Sequence, residues 1–371
     1  MTFYTERILP LVRPYGRRLQ RQLDQWLVAR ANEDRPGGLD GPLASTVRRA
    51  RLALLLALEG TQGRAQVWQG VEKTSGRPLR VAYLGDLQGY KVASPQYLQH
   101  TLFQPGSVRV EERGPLAMRS AGRAAQTYPD ADLVIIEGND LLRWQPPGGL
   151  WLRAPTWVRM VMDFPPDEPW ETVYRKMHAQ RKNIRSAERS GFTFAISKAE
   201  RDFEFFYDRL HVPTMASRHK EYGLVDKKEN MRASFEKGVL FQVCQGEQMV
   251  AAGLVEIHGR SVYGITNGVL DGDRALYSRG AMSMLYFGSI RWCHEQGMRH
   301  YDVGGVRPFA SDGLYQHKQH WGMHPMRDLW LGRSWLLWSP TETPTTQDWL
   351  AAHPPIPVEG VQVGPALAPA A

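Results

Sequence analysis

The chain has 371 residues, of which 42% are hydrophobic, and it carries a formal net charge of +8 at pH 7. This length predicts two domains, or one domain with a large partner subdomain, and the apolar content suffices for a sizeable core. The two cysteines, Cys244 and Cys293, exclude a disulfide framework beyond one bridge and a cysteine-based metal site, while the positive charge favours an anionic partner.

The N-terminal part of the chain, residues 1–62, is predicted to form a basic helical extension. Apolar side chains recur at helical spacing in residues 19–27, residues 32–42 interrupt the pattern, and residues 45–60 resume it. We expect these helices to cover part of the core, although a basic surface for a membrane or a partner would show the same pattern. Because no signal peptide is recognisable and the longest apolar run, residues 52–58, is far below the roughly 20 residues of a membrane span, we expect a cytoplasmic protein.

Residues 63–165 alternate between segments typical of strands and segments typical of helices. The predicted strands lie at residues 80–85, 132–138 and 157–164, and the predicted helices at residues 94–103 and 114–128. This alternation predicts a mixed region of helices and strands that folds as a first subdomain.

Residues 166–338 show a different order of elements and are predicted to form a second subdomain. A basic helix up to Gly191 and a second helix are followed by an antiparallel meander, a long helix and two strands. The predicted ranges after the basic helix are 202–220 for the second helix, 238–244, 249–258 and 261–270 for the meander, 281–297 for the long helix, and 299–305 and 327–338 for the two strands. The tail, residues 339–371, is rich in Pro, Ala and Thr, has little to bury, and is expected to be disordered.

Residues 301–322, YDVGGVRPFASDGLYQHKQHWG, combine a strand end, a glycine break and a lysine. Asp302 lies at the strand end, and Gly304 with Gly305 lets the chain leave the sheet while its backbone stays accessible. Together with RKNIRSAERSGF at residues 181–192 and the meander-then-helix order between them, this segment resembles the acyltransferase domain of the FemABX-like branch of the GNAT superfamily. The resemblance covers about half of the chain.

The family pattern resembles Asp-x-Gly-Gly, a loop, and then Gly-Leu-x-x-aromatic-Lys-x-x-aromatic-Gly. His317 stands where the family usually has Phe, which is a modest departure from the aromatic position. The matching positions in this chain are Asp302, Gly304, Gly305, Gly313, Leu314, Lys318, Trp321 and Gly322.

The resemblance implies an α+β fold of the GNAT (acyl-CoA N-acyltransferase) type, with two tandem GNAT-like subdomains of which the first is degenerate. It implies transfer of an acyl or aminoacyl group from acyl-CoA or aminoacyl-tRNA to an amine on a small molecule or a peptidoglycan precursor. In this fold two neighbouring strands part and expose backbone N–H groups to the reacting carbonyl, so positioning matters more than a strong nucleophile. We expect no tightly bound cofactor and no metal, although His317, His320 and His324 would share one face of a helix.

The resemblance also implies a set of catalytic residues. Lys318 is expected to face the cleft and to stabilise negative charge on the donor carbonyl or leaving group, with Asp302 close by; a solvated lysine on a short helix is the alternative. Tyr315 or His320 is a candidate for relaying the proton that the attacking amine loses. The residues expected to form the cleft are Gly304, Gly305, Trp321 and Asn267.

Two groups of residues are candidates for holding phosphates of the donor. Arg181, Lys182 and Arg185 lie on the basic helix, where few acids compensate them, although basic helix faces are often only solvated. In CoA-dependent GNAT enzymes a glycine-containing loop holds the pyrophosphate at the positive end of the long helix. The residues at that place here are Ser278, Arg279 and Gly280; only one glycine of the pattern is kept, which leaves room for an aminoacyl-tRNA or carrier-protein donor, or for a helix cap without a ligand.

In a second interpretation, the protein has the GNAT-like fold but no transferase activity. A catalytically inactive GNAT-like module could bind nucleic acid or another polyanion through its basic helices, and such binding would weaken steeply with salt. Tailoring of a natural product by an aminoacyl group is a third interpretation with the same fold.

Overall fold

The structure is a computed structural model that describes residues 62–86, 94–141, 144–219, 227–328 and 332–364, together with positions 46, 50, 53 and 89. Almost all of the predicted N-terminal extension therefore lies outside the described residues. The chain divides into two compact units. The first comprises residues 1–158, 307–312 and 327–371, and the second comprises residues 159–306 and 313–326.

The strands are numbered in chain order. They are β1 (Gly63–Val71), β2 (Pro78–Asp86), β3 (Arg109–Leu116), β4 (Leu133–Asn139), β5 (Leu150–Pro155), β6 (Val158–Asp163), β7 (Phe192–Ser197), β8 (Gly238–Gln245), β9 (Gln248–His258), β10 (Ser261–Val269), β11 (His300–Val306), β12 (His324–Arg327), β13 (Arg333–Ser339) and β14 (Gln362–Val363).

The helices within the described ranges are numbered in the same way. They are α1 (Ser94–Leu102), α2 (Ala121–Ala125), α3 (Trp170–Lys176), α4 (Arg181–Arg189), α5 (Glu200–Phe205), α6 (Val212–His219), α7 (Lys228–Phe235), α8 (Arg274–Ser278), α9 (Ala281–Glu295), α10 (Gly313–His320) and α11 (Pro344–Ala352). A π-helical segment, Phe206–His211, joins α5 to α6. None of the described helices has both the length and the apolar character that a bilayer crossing requires.

The first unit is built on a seven-stranded sheet with the order β14-β5-β13-β4-β2-β1-β3. β2 and β4 pair in parallel, and the other neighbours pair antiparallel. Alternate residues of β4 bury on opposite faces, because Leu133 and Ile135 belong to one buried cluster and Val134 and Ile136 to another. This explains why β4 is a continuous apolar run instead of an alternating one.

The structure differs from the predicted boundaries on the C-terminal side. β13, which was expected to end the second subdomain, pairs with β4 and β5 of the first unit. The tail that was expected to be disordered contains α11 and β14 in its described part, up to residue 364. Trp349 is buried and stacks on His353 with ring centroids 4.5 Å apart. The overall composition of the tail did not reveal α11, because a helix needs only a few apolar residues to pack when they lie on one face.

The second unit is built on a sheet with the order β12-β6-β11-β10-β9-β8-β7. The pairs β7–β8, β8–β9 and β9–β10 are antiparallel, as the meander predicted for residues 238–270 requires. The predicted long helix is α9. The described residues thus form two mixed assemblies of helices and strands, and the predicted α+β class with two subdomains is confirmed.

A continuous helical run crosses the second unit from Glu200 to His219, and its middle part is π-helical. Pro213 lacks the N–H that would bond to the carbonyl of Arg209 in a regular helix, and the wide turn directly precedes it. Phe206 and Leu210 of the π-helical segment are buried in a cluster with residues of β8 and β9. The run is thereby held against the sheet next to β10.

Candidate active site

The central feature of the second unit is the place where β10 and β11 part. The two strands pair in parallel over only three residue pairs, of which Tyr263 with Asp302 is the last. β10 itself continues to Val269 in its pairing with β9, with a bulge at Ile265. Beyond Tyr263, the edge of β10 that faced β11 therefore loses its hydrogen-bonding partner, which leaves main-chain groups of β10 free to bond a ligand. The parting that the resemblance implied is confirmed.

Two glycines allow the backbones to come close at the point of divergence. A Cβ on Gly264 of β10 would lie 3.3 Å from the carbonyl oxygen of Asp302 and 3.4 Å from Cα of Val303. Gly304 of β11 has a φ of +82°, a conformation that L side chains rarely adopt. The local sequence thus permits both the close approach and the sharp turn away from β10.

A cavity of about 720 Å³ opens where the strands part. Its lining includes the predicted cleft residues Gly304, Gly305 and Asn267, together with Lys318. The lining residues come from β8, β9, β10, β11, α4, α6, α8, α9 and α10. Lining residues that sequence reasoning did not single out include Asn183, Ser186, Met215, Thr266, Ser283, Tyr286 and Ser289.

The N-terminus of α9 opens onto this cavity. Gly280 caps the helix in a left-handed conformation with a φ of +95°, and the first helical hydrogen bond joins the N–H of Met284 to the carbonyl of Gly280. The N–H groups of the preceding turn have no helical acceptor, so they carry the positive end of the helix dipole. Ser278 and Gly280 line the cavity, whereas Arg279 does not, since its guanidinium lies 5.2 Å over the ring of Phe192; phosphate binding by these residues stays a prediction.

The basic helix α4 flanks the same opening. Ile184 and Ala187 are buried, and a Cβ on Gly280 would lie 3.0 Å from Cβ of Ala187, so α4 packs tightly on the start of α9. Asn183 and Ser186, which lie between the cations in sequence, line the cavity.

The three predicted cations of α4 are exposed and lie outside the cavity lining. The guanidinium of Arg181 lies 5.5 Å over the ring of Tyr174. Lys182 precedes Ser186 by four residues and therefore lies on the side of α4 that faces the cavity mouth, whereas Arg185 lies further from it. Of the three, Lys182 is placed best to meet an anionic group at the rim.

Lys318 is buried, with 4% of its surface exposed, and its ammonium points at the end of β11. Nζ donates hydrogen bonds to the carbonyl oxygens of Val303 at 2.9 Å, Gly304 at 3.1 Å and Gly305 at 3.2 Å. Since a lysine ammonium has three donors, these bonds fix the chain just after the point where β11 leaves β10. The geometry gives Lys318 a positioning role; direct stabilisation of donor charge stays a prediction.

Asp302 anchors the other side of the same turn. Its Oδ1 accepts from the N–H of Gly304 at 2.8 Å, and its Oδ2 accepts from Nε and Nη2 of Arg159 at 2.7 and 2.6 Å. Burial raises the pKa of the nearby Tyr263, and the negative charge of Asp302 adds to this rise. Asp302 does not line the cavity, so the structure places it as a support of the strand end beside the site.

The predicted residues Tyr315 and His320 of α10, and Trp321 directly after it, lie behind or outside the cavity. Trp321 is buried and stacks on Tyr286 at 5.3 Å, while His317 meets Tyr286 edge-on at 5.4 Å. Tyr286 and His317 line the cavity, so Trp321 supports its wall from behind. Tyr315 is buried and His320 is exposed, and the structure brings neither of them to the cavity.

The histidines of this region pair with other partners. His324 lies 3.3 Å from a carboxylate oxygen of Asp163, and His300 bonds to the other oxygen of the same carboxylate at 2.6 Å. In the part of the chain that the structure describes, His, Cys, Asp and Glu side chains form no group of three or more that could hold a metal ion.

A sheet whose strands part beside a helix N-terminus is an arrangement suited to holding an activated acyl donor through main-chain amides. Residues 175–319 match the model of a protein family described as acetyltransferase (GNAT) domain. The predicted GNAT resemblance is thus confirmed for these residues.

Several solved structures are similar to this chain at low identity. They include L-PGS from Bacillus licheniformis (12% identity, TM-score 0.36, covering 82% of this chain and 95% of that one), FemX (13%, 0.38, 74% and 84%) and a tandem GNAT protein from the clavulanic acid biosynthesis pathway (12%, 0.30, 85% and 93%). These likenesses are too distant to transfer a substrate or a partner to this protein. No curated protein sequence matches the chain.

Proposed function

We propose that the protein transfers an acyl or aminoacyl group from an activated donor, acyl-CoA or aminoacyl-tRNA, to an amine on a small molecule or a peptidoglycan precursor. The observation that carries this proposal is the parting of β10 and β11 after Tyr263 and Asp302, which opens the cavity beside the N-terminus of α9. No nucleophilic side chain is needed for such a transfer, because a positioned amine attacks the donor carbonyl directly.

The donor is proposed to bind on the α9 side of the sheet. Its phosphate groups would meet the free N–H groups of the first turn of α9 and the hydroxyls of Ser278 and Ser283, with Lys182 at the rim. The donor carbonyl would then lie along β10 beyond Tyr263. An unpaired N–H of that strand would stabilise the oxyanion, an interaction whose loss typically slows catalysis by about 10²–10³-fold.

The cysteines support a route without a covalent intermediate. Burial raises the pKa of the Cys293 thiol strongly, and it raises the pKa of Cys244, to which the charge of Asp202 adds. Since the thiolate is the reactive form, both groups are poor nucleophiles, and neither lines the cavity.

The test is a transfer assay with purified protein. A panel of acyl-CoAs and aminoacylated tRNA would be incubated with primary amines, and the acylated products would be identified by mass spectrometry. Thermal shifts with the same donors supply a readout independent of turnover, because a ligand that binds only the folded state raises apparent stability. Acylated amine that forms only with protein present supports the proposal; donors that neither shift the melting temperature nor react would overturn it.

A second candidate function rests on α4. Arg181, Lys182, Arg185 and Arg189 are exposed, and within the described ranges none of them forms an ion pair. A module that binds a polyanion through this helix would bind tRNA or DNA. The logarithm of its binding constant would fall linearly with the logarithm of the salt concentration. Nucleic acid binding of this kind, without turnover on any donor, would favour the binding module.

A further inference from the structure

We infer that His211, acting through the hydroxyl of Thr266, accepts the proton that the acceptor amine loses when it attacks the donor. This inference rests on the proposed function and adds to it a proton acceptor, a role that neither Tyr315 nor His320 is placed to fill at the cavity. It follows from the placement of the π-helical segment against β10.

His211 is the last residue of the π-helical segment and has only 2% of its surface exposed. Its Nδ1 lies 3.2 Å from Oγ1 of Thr266. Thr266 is the first residue of β10 after the bulge, and it lines the cavity. A residue that lines the cavity thus has its hydroxyl bonded to a buried imidazole.

The contact is held in place by close packing around it. A Cβ on Gly268 would lie 2.5 Å from the carbonyl oxygen of Leu210 and 3.0 Å from the nitrogen of His211, so a glycine is needed for the segment to approach β10. One turn further along the chain, Oγ1 of Thr214 accepts from the N–H of Val269 at 2.9 Å. The position of the imidazole relative to Thr266 is therefore set by the backbone on both sides.

The donor is placed on one face of the sheet and the acceptor amine on the other. A Cβ on Gly253 would lie 3.4 Å from Leu285 of α9 and 3.8 Å from Cβ of Asn267, so Asn267 lies on the α9 face. Thr266 and Gly268, its neighbours along the strand, lie on the face of the π-helical segment. With the donor on the α9 side, an amine that enters from the opposite side meets Thr266 first.

A neutral amine attacks the donor carbonyl carbon and forms an N–C bond; its nitrogen gives one proton to Oγ1 of Thr266 as the hydroxyl proton passes to Nδ1 of His211. The C–S or C–O bond of the donor then breaks with its electron pair on the leaving atom. The leaving group takes up a proton from solvent, the imidazolium releases one to solvent, and the products are an amide and a free thiol or alcohol. For this step the neutral imidazole must carry its proton on Nε2.

The charged groups around the π-helical segment are paired with one another. Arg209 bonds to Asp271, and Lys228 of α7 bonds to Asp208 and to Glu204 of α5. From β10, Thr266 contacts the imidazole, and the rings of Phe206 and Tyr207 lie at 6.1 and 5.7 Å from it. The neighbouring charges are thus neutralised by their partners, and the imidazole of His211 is in contact with the hydroxyl of Thr266.

The test compares Thr266→Val, Thr266→Ser and His211→Gln with the wild type, using acetyl-CoA or aminoacylated tRNA, whichever the wild type accepts, and a primary amine. General-base catalysis typically contributes about 10²–10⁴-fold, so we expect kcat to fall by about 10²-fold in Thr266→Val and His211→Gln, with KM little changed. Thr266→Ser should retain most of the activity. We expect kcat of the wild type to rise with pH as the imidazole loses its proton, and this rise should be absent in His211→Gln.

A second measurement, NMR of the imidazole nitrogens in the wild type, does not depend on turnover and can be made even if a variant fails to fold. In ¹⁵N-histidine-labelled wild type, the Nδ1 signal of His211 should be that of an unprotonated acceptor and should shift in Thr266→Val. A protonated Nδ1 at neutral pH, or wild-type kcat and pH profile in both variants, overturns the relay while leaving acyl transfer intact. Absence of transfer by the wild type with every donor counts against the proposed function instead, and the tautomer then decides the relay alone.

Discussion

The ammonium of Lys318 donates a 2.9 Å hydrogen bond to the carbonyl oxygen of Val303, the first residue of β11 beyond its pairing with β10. Where β11 no longer pairs with β10, the buried side chain of Lys318 holds the backbone of β11 in place of a neighbouring strand. Lys318 thereby fixes the width of the gap from which the cavity opens.

Replacing this lysine should loosen the end of β11. In Lys318→Met, up to three carbonyls lose their donor, and because a buried unsatisfied group costs about 1–3 kcal/mol, we expect a loss of that order in local stability. Hydrogen exchange of the β11 amides and transfer activity would be measured together. Activity lost with exchange unchanged would show that the ammonium acts on the substrate, as the family resemblance predicted.

Asp302→Asn should destabilise the same turn from the other side. The amide can still accept from the N–H of Gly304, but Arg159 loses its counter-charge, and a side chain that is only 10% exposed makes this pair stronger than a surface pair. We expect a loss of about 1–3 kcal/mol in the free energy of unfolding of the second unit. In the exposed pair of Arg291 with Glu295, Glu295→Gln should cost below about 0.5 kcal/mol. Equal effects of the two variants would contradict the anchoring role.

Gly280→Ala should impair donor binding. The residue has a positive φ, and the added Cβ would lie 3.0 Å from Ala187 of α4, so the start of α9 must shift. Gly246→Ala is a matched control, because its φ is also positive but nothing lies within 4 Å of the new Cβ. Both variants should lose about 1 kcal/mol from backbone strain. Only Gly280→Ala should also weaken binding of acyl-CoA in calorimetry, and equal affinities would refute the placement of the donor at α9.

Lys182→Glu should reduce donor affinity through charge. Lys182 lies on the cavity side of α4, one turn before Ser186, so reversing its charge repels an anionic donor. We expect KM for the donor to rise several-fold at low salt and the difference to shrink as ionic strength screens the exposed charge. Lys237→Glu makes the same change in net charge at an exposed position that does not line the cavity, and it should leave KM unaltered.

In the first unit, His353 should make stability depend on pH. Burial lowers the pKa of its imidazole below the usual value near 6.5, and the stacked ring of Trp349 lies 4.5 Å away. The unfolded chain therefore binds the proton more readily, so this contribution to stability is complete above about pH 6.5 and is lost as the pH falls below it. His353→Phe keeps an aromatic ring and should flatten the decline between pH 7 and 5. If stability falls between pH 7 and 5 as steeply in His353→Phe as in the wild type, other groups cause the fall.

Local patterns predicted the parts of the site that depend on local chemistry. The positive φ of Gly304 and the cap at Gly280 agree with the sequence pattern, because turns and helix ends need particular residues at particular spacings, although β11 continues through both glycines to Val306. Arg279 and His320 were placed by the same patterns but do not reach the cavity. A pattern identifies the element, whereas the direction of a side chain depends on its neighbours.

The antiparallel meander, the long helix and the strand that carries two glycines were predicted correctly, since periodicity and turn residues encode each of them within a short stretch. Three features became visible only in the folded chain: the ammonium of Lys318 bonds to carbonyls, β13 joins the first sheet, and His211 contacts Thr266. The residues in contact are 15 positions apart for Lys318 and Val303, 55 for His211 and Thr266, and 198 for Trp335 of β13 and Glu137 of β4, and no local pattern specifies such a partner.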